Sequence, residues 1–124
     1  MNQDQFAVFL SDNRTAFQPQ EIVRVTVLWA LSTIPQGMEA RLFWRTRGKG
    51  TEDVEIVARR SLNPPAAAGE TALEFPLPDG PWSFSGKLIS LGWGVEVVAV
   101  PDGQNARCEF VLGPNGQEIL LPSL

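Results

Sequence analysis

The sequence of 124 residues has no histidine, no tyrosine and only one cysteine, Cys108. Triad-type serine and cysteine proteases need a histidine base, and most zinc sites use histidine or several cysteines. One cysteine also rules out an intramolecular disulfide and a CxxC redox pair. These absences predict a protein that is not an enzyme and that has no catalytic residues, no metal site and no cofactor.

Positive charge is also scarce, since 10 lysines and arginines stand against 14 aspartates and glutamates. Binding to nucleic acid depends on clustered basic residues that neutralise phosphates, so we expect no nucleic-acid partner. No apolar run approaches the roughly 20 residues of a membrane helix, which predicts no membrane span. The first residues, 1–4, carry no basic side chain, and only a short apolar segment follows. A cytoplasmic protein without a signal peptide is the expectation.

Turn-forming residues are abundant and well spread, with 11 glycines and 10 prolines. They cluster at residues 35–37, 48–50, 78–81, 101–103 and 113–116, and these clusters separate segments of strand length. This punctuation predicts no long helix. The length fits one domain over residues 1–124.

The segments between the turns alternate between apolar and polar residues with a period of two, as half-buried strands do. In each segment one set of alternating residues is predicted to face the core. In the three longest segments these inward sets are Val23, Val25, Val27, Trp29 and Leu31; Met38, Ala40, Leu42, Trp44 and Thr46; and Ile89, Leu91, Trp93, Val95, Val97 and Ala99. Shorter sets are Val54, Ile56 and Ala58; Thr71, Leu73 and Phe75; and Ala106, Cys108, Phe110 and Leu112. The pattern predicts an all-β, immunoglobulin-like antiparallel sandwich of about seven to nine strands, with Cys108 packed inside as a small apolar residue.

Three stretches resemble arrestin-fold domains. Residues 18–27, which read QPQEIVRVTV, are similar to the pattern Pro-Gly-Glu-x-Val-x-Gly-x-Val that begins the second strand of those domains. Residues 41–50, RLFWRTRGKG, resemble the strand and hairpin that follow in bacterial arrestin-like proteins. The strongest likeness is residues 75–93, FPLPDGPWSFSGKLISLGW, in which a proline-rich loop leads into a long central strand.

The resemblance implies a single-domain arrestin-like sandwich that works as an adaptor, trafficking or sporulation-control scaffold and binds other proteins. Gln20 stands where the family pattern has glycine. Arrestins carry two such sandwiches in tandem, whereas this sequence has the length for one. A homodimer, or another protein partner, is therefore the expected way to complete the assembly.

The candidate partner-binding residues on the predicted outward face of one strand are Arg41, Phe43, Arg45 and Arg47. With Lys49 in the next turn, they form a basic stripe suited to an acidic peptide or a phosphate, because arginine offers paired planar donors. The alternative is neutralisation across the hairpin by Glu52, Asp53 and Glu55, which would make the stripe an ion-paired surface.

Trp82 is the remaining candidate for partner binding, since it lies in a proline-rich loop rather than on a strand. It either anchors a partner or covers one end of the sandwich. An alternative function follows from its chemistry: a carbohydrate- or small-ligand-binding sandwich in which Trp82 and Phe43 stack on the ligand.

Overall fold

The computed structural model describes residues 4–48, 50–62, 66–100 and 103–120. These residues contain ten β-strands and two short 3-10 turns, joined by loops. The strands are β1 (Gln5–Leu10), β2 (Ala16–Phe17), β3 (Ile22–Ala30), β4 (Gly37–Gly48), β5 (Thr51–Leu62), β6 (Ala68–Pro76), β7 (Phe84–Ser85), β8 (Ile89–Val100), β9 (Asn105–Leu112) and β10 (Ile119–Leu120). The 3-10 turns are Ser11–Asn13 and Pro114–Gly116. Over these residues there is no helix of the length and apolar character needed to cross a membrane.

The strands form two sheets. In the smaller one, β3 lies between β1 and β6 and pairs antiparallel with both. In the larger one, β8 is central: it pairs with β4 along one edge and with β7 and β9 on the other, and β5 extends the sheet beyond β4. β2 adds to β9, and β10 adds to β7, each in parallel. The predicted all-β sandwich is confirmed.

The core lies between the sheets, where the period-two pattern places it. In β3, Val23, Val25, Val27 and Trp29 are buried, and β8 supplies Leu91, Trp93, Val95, Val97 and Ala99. Cys108 is half-buried against this core, and burial raises the pKa of its thiol to about 11. The prediction of Cys108 as a small packed residue is confirmed.

Strand β5 departs from the predicted alternation. Its register against β4 shifts between Leu42 and Phe43, and Val57 becomes the extra residue of a β-bulge. As a result, Ile56 lies opposite Phe43 on the outer face, while Ala58 lies opposite Leu42 on the core face. The prediction of one common face for Val54, Ile56 and Ala58 is therefore wrong, because a bulge resets the period from that point.

The turn before β3 contains Gln20, the residue that differs from the glycine of the pattern which this stretch resembles. Gln20 adopts a φ of +69°, in the left-handed region that glycine enters without steric cost.

Candidate functional site

The four candidate residues of β4 share the outer face of the larger sheet, and together they are called the β4 stripe: Arg41, Phe43, Arg45 and Arg47. They alternate with residues of the core face such as Leu42. On β8 their neighbours are, in order, Glu96, Gly94, Gly92 and Ser90. The stripe therefore lies beside two glycines, which leave space above the sheet.

Phe43 fills part of that space. Its side chain is only 5% exposed, and its ring lies against Gly94. The guanidinium carbon of Arg107, on β9, is 5.8 Å from the centre of the ring. Phe43 is thus a covered apolar residue within the outer face rather than a free aromatic surface.

Arg45 is the most buried charged residue of the stripe, at 9% exposed. It forms ion pairs with Glu109 of β9 and with Glu52 of β5, the latter at 3.4 Å. On β8 the residue opposite Arg45 is Gly92, where an added Cβ would meet no atom within 4 Å. Burial lowers the pKa of the Arg45 guanidinium, and the nearby charges of Arg47 and Arg107 act in the same direction.

Arg41 belongs to a row of alternating charges that crosses four strands. It contacts Glu39 at 2.7 Å and Glu96 at 3.6 Å, and Glu96 in turn contacts Arg107 at 3.1 Å. At the other end, Glu39 lies 3.7 Å from Arg59 of β5. The hydrogen bond from Arg41 holds the pKa of the Glu39 carboxyl below its usual value.

Arg47 differs from the other two arginines of the stripe. It is exposed, and no carboxylate of the described residues lies within ion-pair distance of it. Lys49, predicted to extend the basic stripe, lies outside those residues.

The predicted neutralisation across the hairpin is correct for Glu52 and wrong for its neighbours. Asp53 and Glu55 lie opposite Thr46 and Trp44, so they are on the other face of the sheet from the stripe. Alternation alone determines this, because only every second residue of β5 shares a face with Arg45.

Sequence reasoning missed the main partners, which are Glu96 of β8 and Glu109 of β9. The period-two pattern does put both on outward faces. What the pattern does not contain is the strand order that brings β4, β8 and β9 side by side.

A groove of about 380 Å³ runs along this face. Its apolar lining is Phe43, Val54 and Ile56, and its charged lining is Arg41, Arg107, Glu52 and Glu96. Val54 is 56% exposed, so the apolar part of the groove is open to solvent. The groove thus combines an apolar patch with charged side chains of both signs.

Trp82 lies apart from the stripe, in the loop between β6 and β7. Its side chain is 44% exposed, and the indole N–H donates to the carbonyl of Asp79, 2.7 Å away in the same loop. The neighbouring Pro81 carbonyl accepts a hydrogen bond from Trp93 of the core at 2.7 Å. The hydrogen bond from Trp93 therefore anchors the loop to the core, while the ring of Trp82 is half-exposed.

Acidic and sulfur side chains do not gather into a metal-binding group within residues 4–48, 50–62, 66–100 and 103–120.

No protein-family model matches the sequence, and no curated protein matches it. Among solved structures, Spo0M, a sporulation control protein from Bacillus subtilis, superposes with a TM-score of 0.62 at 15% identity. The two chains share a fold. The likeness covers 90% of this chain and 50% of Spo0M, so the chain spans about half the length of that protein. It supports the arrestin-like sandwich that the three sequence stretches imply.

Two further structures superpose more loosely. A superoxide reductase (neelaredoxin) from Ignicoccus hospitalis has a TM-score of 0.42 at 9% identity, over 89% of this chain and 83% of that one. A β-glucosidase from Listeria innocua, in complex with isofagomine, has a TM-score of 0.44 at 16% identity, over 94% of this chain and 17% of that one. Both likenesses are too distant to bear on function.

Proposed function

We propose that residues 1–124 form one arrestin-like sandwich that acts as a non-catalytic, cytoplasmic protein-interaction module. The observation that carries the proposal is the groove on the outer face, whose lining combines the exposed Val54 with charged side chains of both signs. Protein interfaces have this composition, with an apolar centre that excludes water and a polar rim that fixes orientation.

The partner we propose is an extended protein segment with an apolar side chain and a nearby carboxylate. The apolar side chain packs on Val54 and Ile56, which line the groove. The carboxylate pairs with Arg47, whose guanidinium has no ion-pair partner among the described residues. A charge-assisted, paired hydrogen bond of this kind adds direction as well as affinity.

Within the β4 stripe the residues have different proposed roles. Arg47 contacts the partner directly, and Arg41 lines the groove. Phe43 and Arg45 are buried and shape the surface from below. Trp82 remains a separate prediction, for a contact at the loop between β6 and β7.

The fold shared with Spo0M agrees with a regulatory binding role, since that protein is described as a sporulation control protein. At 15% identity the likeness concerns the fold, so the regulatory role comes to this chain only as part of the proposal.

Affinity purification from the source organism tests the proposal with two matched variants. Arg107→Glu breaks one ion pair at the groove, with Glu96, and Arg24→Glu breaks one on the other sheet, with Glu74. Both variants change the net charge by the same amount. We expect a protein that is recovered with the wild type and with Arg24→Glu to be lost with Arg107→Glu.

The recovered protein is then purified, and its binding to each variant is measured by calorimetry. Arg47→Glu is the second variant, at the residue proposed to pair with the partner's carboxylate, because its side chain is exposed and its replacement leaves the described ion pairs intact. Equal binding by the wild type, Arg107→Glu and Arg47→Glu would overturn the proposal.

The alternative of a carbohydrate-binding sandwich is not favoured. A sugar ring stacks on an open aromatic face, whereas Phe43 is 5% exposed and covered by Arg107. Trp82 alone offers a half-exposed ring, and its position in another loop separates it from Phe43.

A further inference from the structure

The edge of the larger sheet carries a feature that the groove does not use. Strand β5 pairs with β4 from Thr51 to Leu62, and no second strand of the described chain pairs with its other side. Its outer backbone N–H and C=O groups are therefore available to another strand.

Charge is segregated along this edge. The first half of β5 holds the acidic residues Glu52, Asp53 and Glu55, and the second half holds Arg59 and Arg60. The residues between the two halves are apolar: Val54, Ile56, Val57 and Ala58. Val54 and Val57 are 56% and 43% exposed.

We propose that β5 pairs antiparallel with β5 of a second copy of this chain, about a two-fold axis at the bulge. This pairing brings the acidic half of each strand against the basic half of the other, and the apolar residues meet at the centre. Cross-strand pairs of opposite charge stabilise a sheet, and pairs of like charge destabilise it. A parallel pairing would set like charges side by side.

The faces of the sheet agree with this arrangement. Before the bulge, Asp53 and Glu55 lie on the core face, and after it Arg60 does, opposite Ala40. On the outer face, Glu52 lies before the bulge and Arg59 after it, opposite Arg47 and Arg41 respectively. Antiparallel pairing about the bulge therefore brings Arg60 to the core-face carboxylates of the second copy, and Arg59 to its outer-face Glu52.

The charge pattern also explains why the occupant is a second copy. Charged residues on an edge strand ordinarily keep other strands away. Here the two signs are separated along the strand, so an antiparallel copy meets attraction along its whole length. A strand of uniform charge would be repelled by one half of β5.

Two charge-reversal variants of the full chain test the pairing by sedimentation equilibrium. Asp53→Lys/Glu55→Lys reverses the acidic half, and Arg59→Glu/Arg60→Glu reverses the basic half. We expect the wild type to form a dimer and each variant alone to dissociate about tenfold more readily or worse, since like charges then meet across the axis. An equimolar mixture of the two variants restores a dimer, because each supplies the charge that the other lacks.

A cysteine cross-link locates the axis. In a Cys108→Ala background, Val57→Cys places one thiol beside its symmetry mate and is expected to form a disulfide-linked dimer under mild oxidation. Leu88→Cys is the matched control, because residue 88 is 68% exposed and precedes β8, which β4 separates from β5. A monomeric wild type, a dimer unaffected by either charge reversal, or equal cross-linking of both cysteines would overturn the inference. Such a failure leaves the proposed function standing, because that proposal depends on the binding of Arg107→Glu and Arg47→Glu.

Discussion

The ring of Phe43 lies directly against the backbone of Gly94 on the neighbouring strand. A Cβ atom at position 94 would be 2.8 Å from Cζ of Phe43 and 2.8 Å from the carbonyl oxygen of Cys108. One of these two neighbours is backbone, so it has little freedom to move. The burial of Phe43, and with it the depth of the groove, therefore depends on glycine at this position.

Gly94→Ala is expected to destabilise the protein by about 1–3 kcal/mol, the range for a side chain forced into a packed site. The measurement is urea denaturation followed by tryptophan fluorescence. Gly92→Ala is the matched control, since it lies on the same strand and face and an added Cβ meets no atom within 4 Å. If both variants unfold at the same urea concentration, the close packing of Phe43 on Gly94 does not determine the loss of stability in Gly94→Ala.

A second prediction concerns the left-handed turn at Gln20. Backbone strain costs a non-glycine residue roughly 1–2 kcal/mol at the φ of +69° that Gln20 adopts. Glycine adopts this φ without the strain, at a smaller cost in unfolded-state entropy. Gln20→Gly should therefore raise the free energy of unfolding by about 0.5–1 kcal/mol, even though it removes an exposed hydrogen bond to Asp79. Gln18→Gly, in the same turn at a residue without positive φ, should lower it. A loss in both variants would show that the left-handed backbone is not strained.

Local pattern was enough to predict the fold class and much of the core. Val23, Val25, Val27 and Trp29 alternate without interruption, and they are buried because β3 is a regular central strand. The same reasoning placed the β4 stripe on one outer face. Period two is a property of the backbone, so it holds wherever the strand is regular.

Two parts of the candidate site were beyond that reasoning. The bulge at Val57 has no proline or glycine to mark it, and it puts Ala58 on the core face while Val54 and Ile56, in register with the hairpin, lie on the groove side. The pairing of Arg45 with Glu109 joins residues far apart in sequence, and it depends on which strands are neighbours. Strand order is set by the whole sandwich and not by either segment.

The pH dependence of stability should reflect the row of charges on the outer face. The hydrogen bond from Arg41 holds the pKa of Glu39 below its usual value of 4.5. A carboxyl with a lowered pKa in the folded state stabilises the fold above its unfolded pKa, and this contribution is lost as the pH falls through the folded value. The contribution of Glu39 to the free energy of unfolding should therefore decline below about pH 4.5.

Urea midpoints measured from about pH 7 to pH 3 test this, with Glu39→Gln compared with the wild type. The variant should be less stable than the wild type at neutral pH, and the difference between them should shrink toward the acid end. Glu70→Gln is the control, because Glu70 is exposed on β6 and forms no ion pair with the described residues. A constant difference between wild type and Glu39→Gln at all pH values would contradict the assignment.

The last prediction follows from the unequal burial of Arg45 and its partners. The Arg45 side chain is 10% exposed, whereas Glu109 is 54% and Glu52 is 48% exposed. Removing both carboxylate charges with Glu52→Gln/Glu109→Gln leaves a buried guanidinium without compensation and should cost about 1–3 kcal/mol. Arg45→Met instead removes the buried charge and lets water solvate the carboxylates, so its cost should stay within about 1 kcal/mol.

The exposed pair Arg24 and Glu74 supplies matched controls, and Arg24→Met and Glu74→Gln should each have little effect. A larger loss from Arg45→Met than from the double glutamine variant would mean that the ion pairs, and not the burial of the arginine, determine stability at this face.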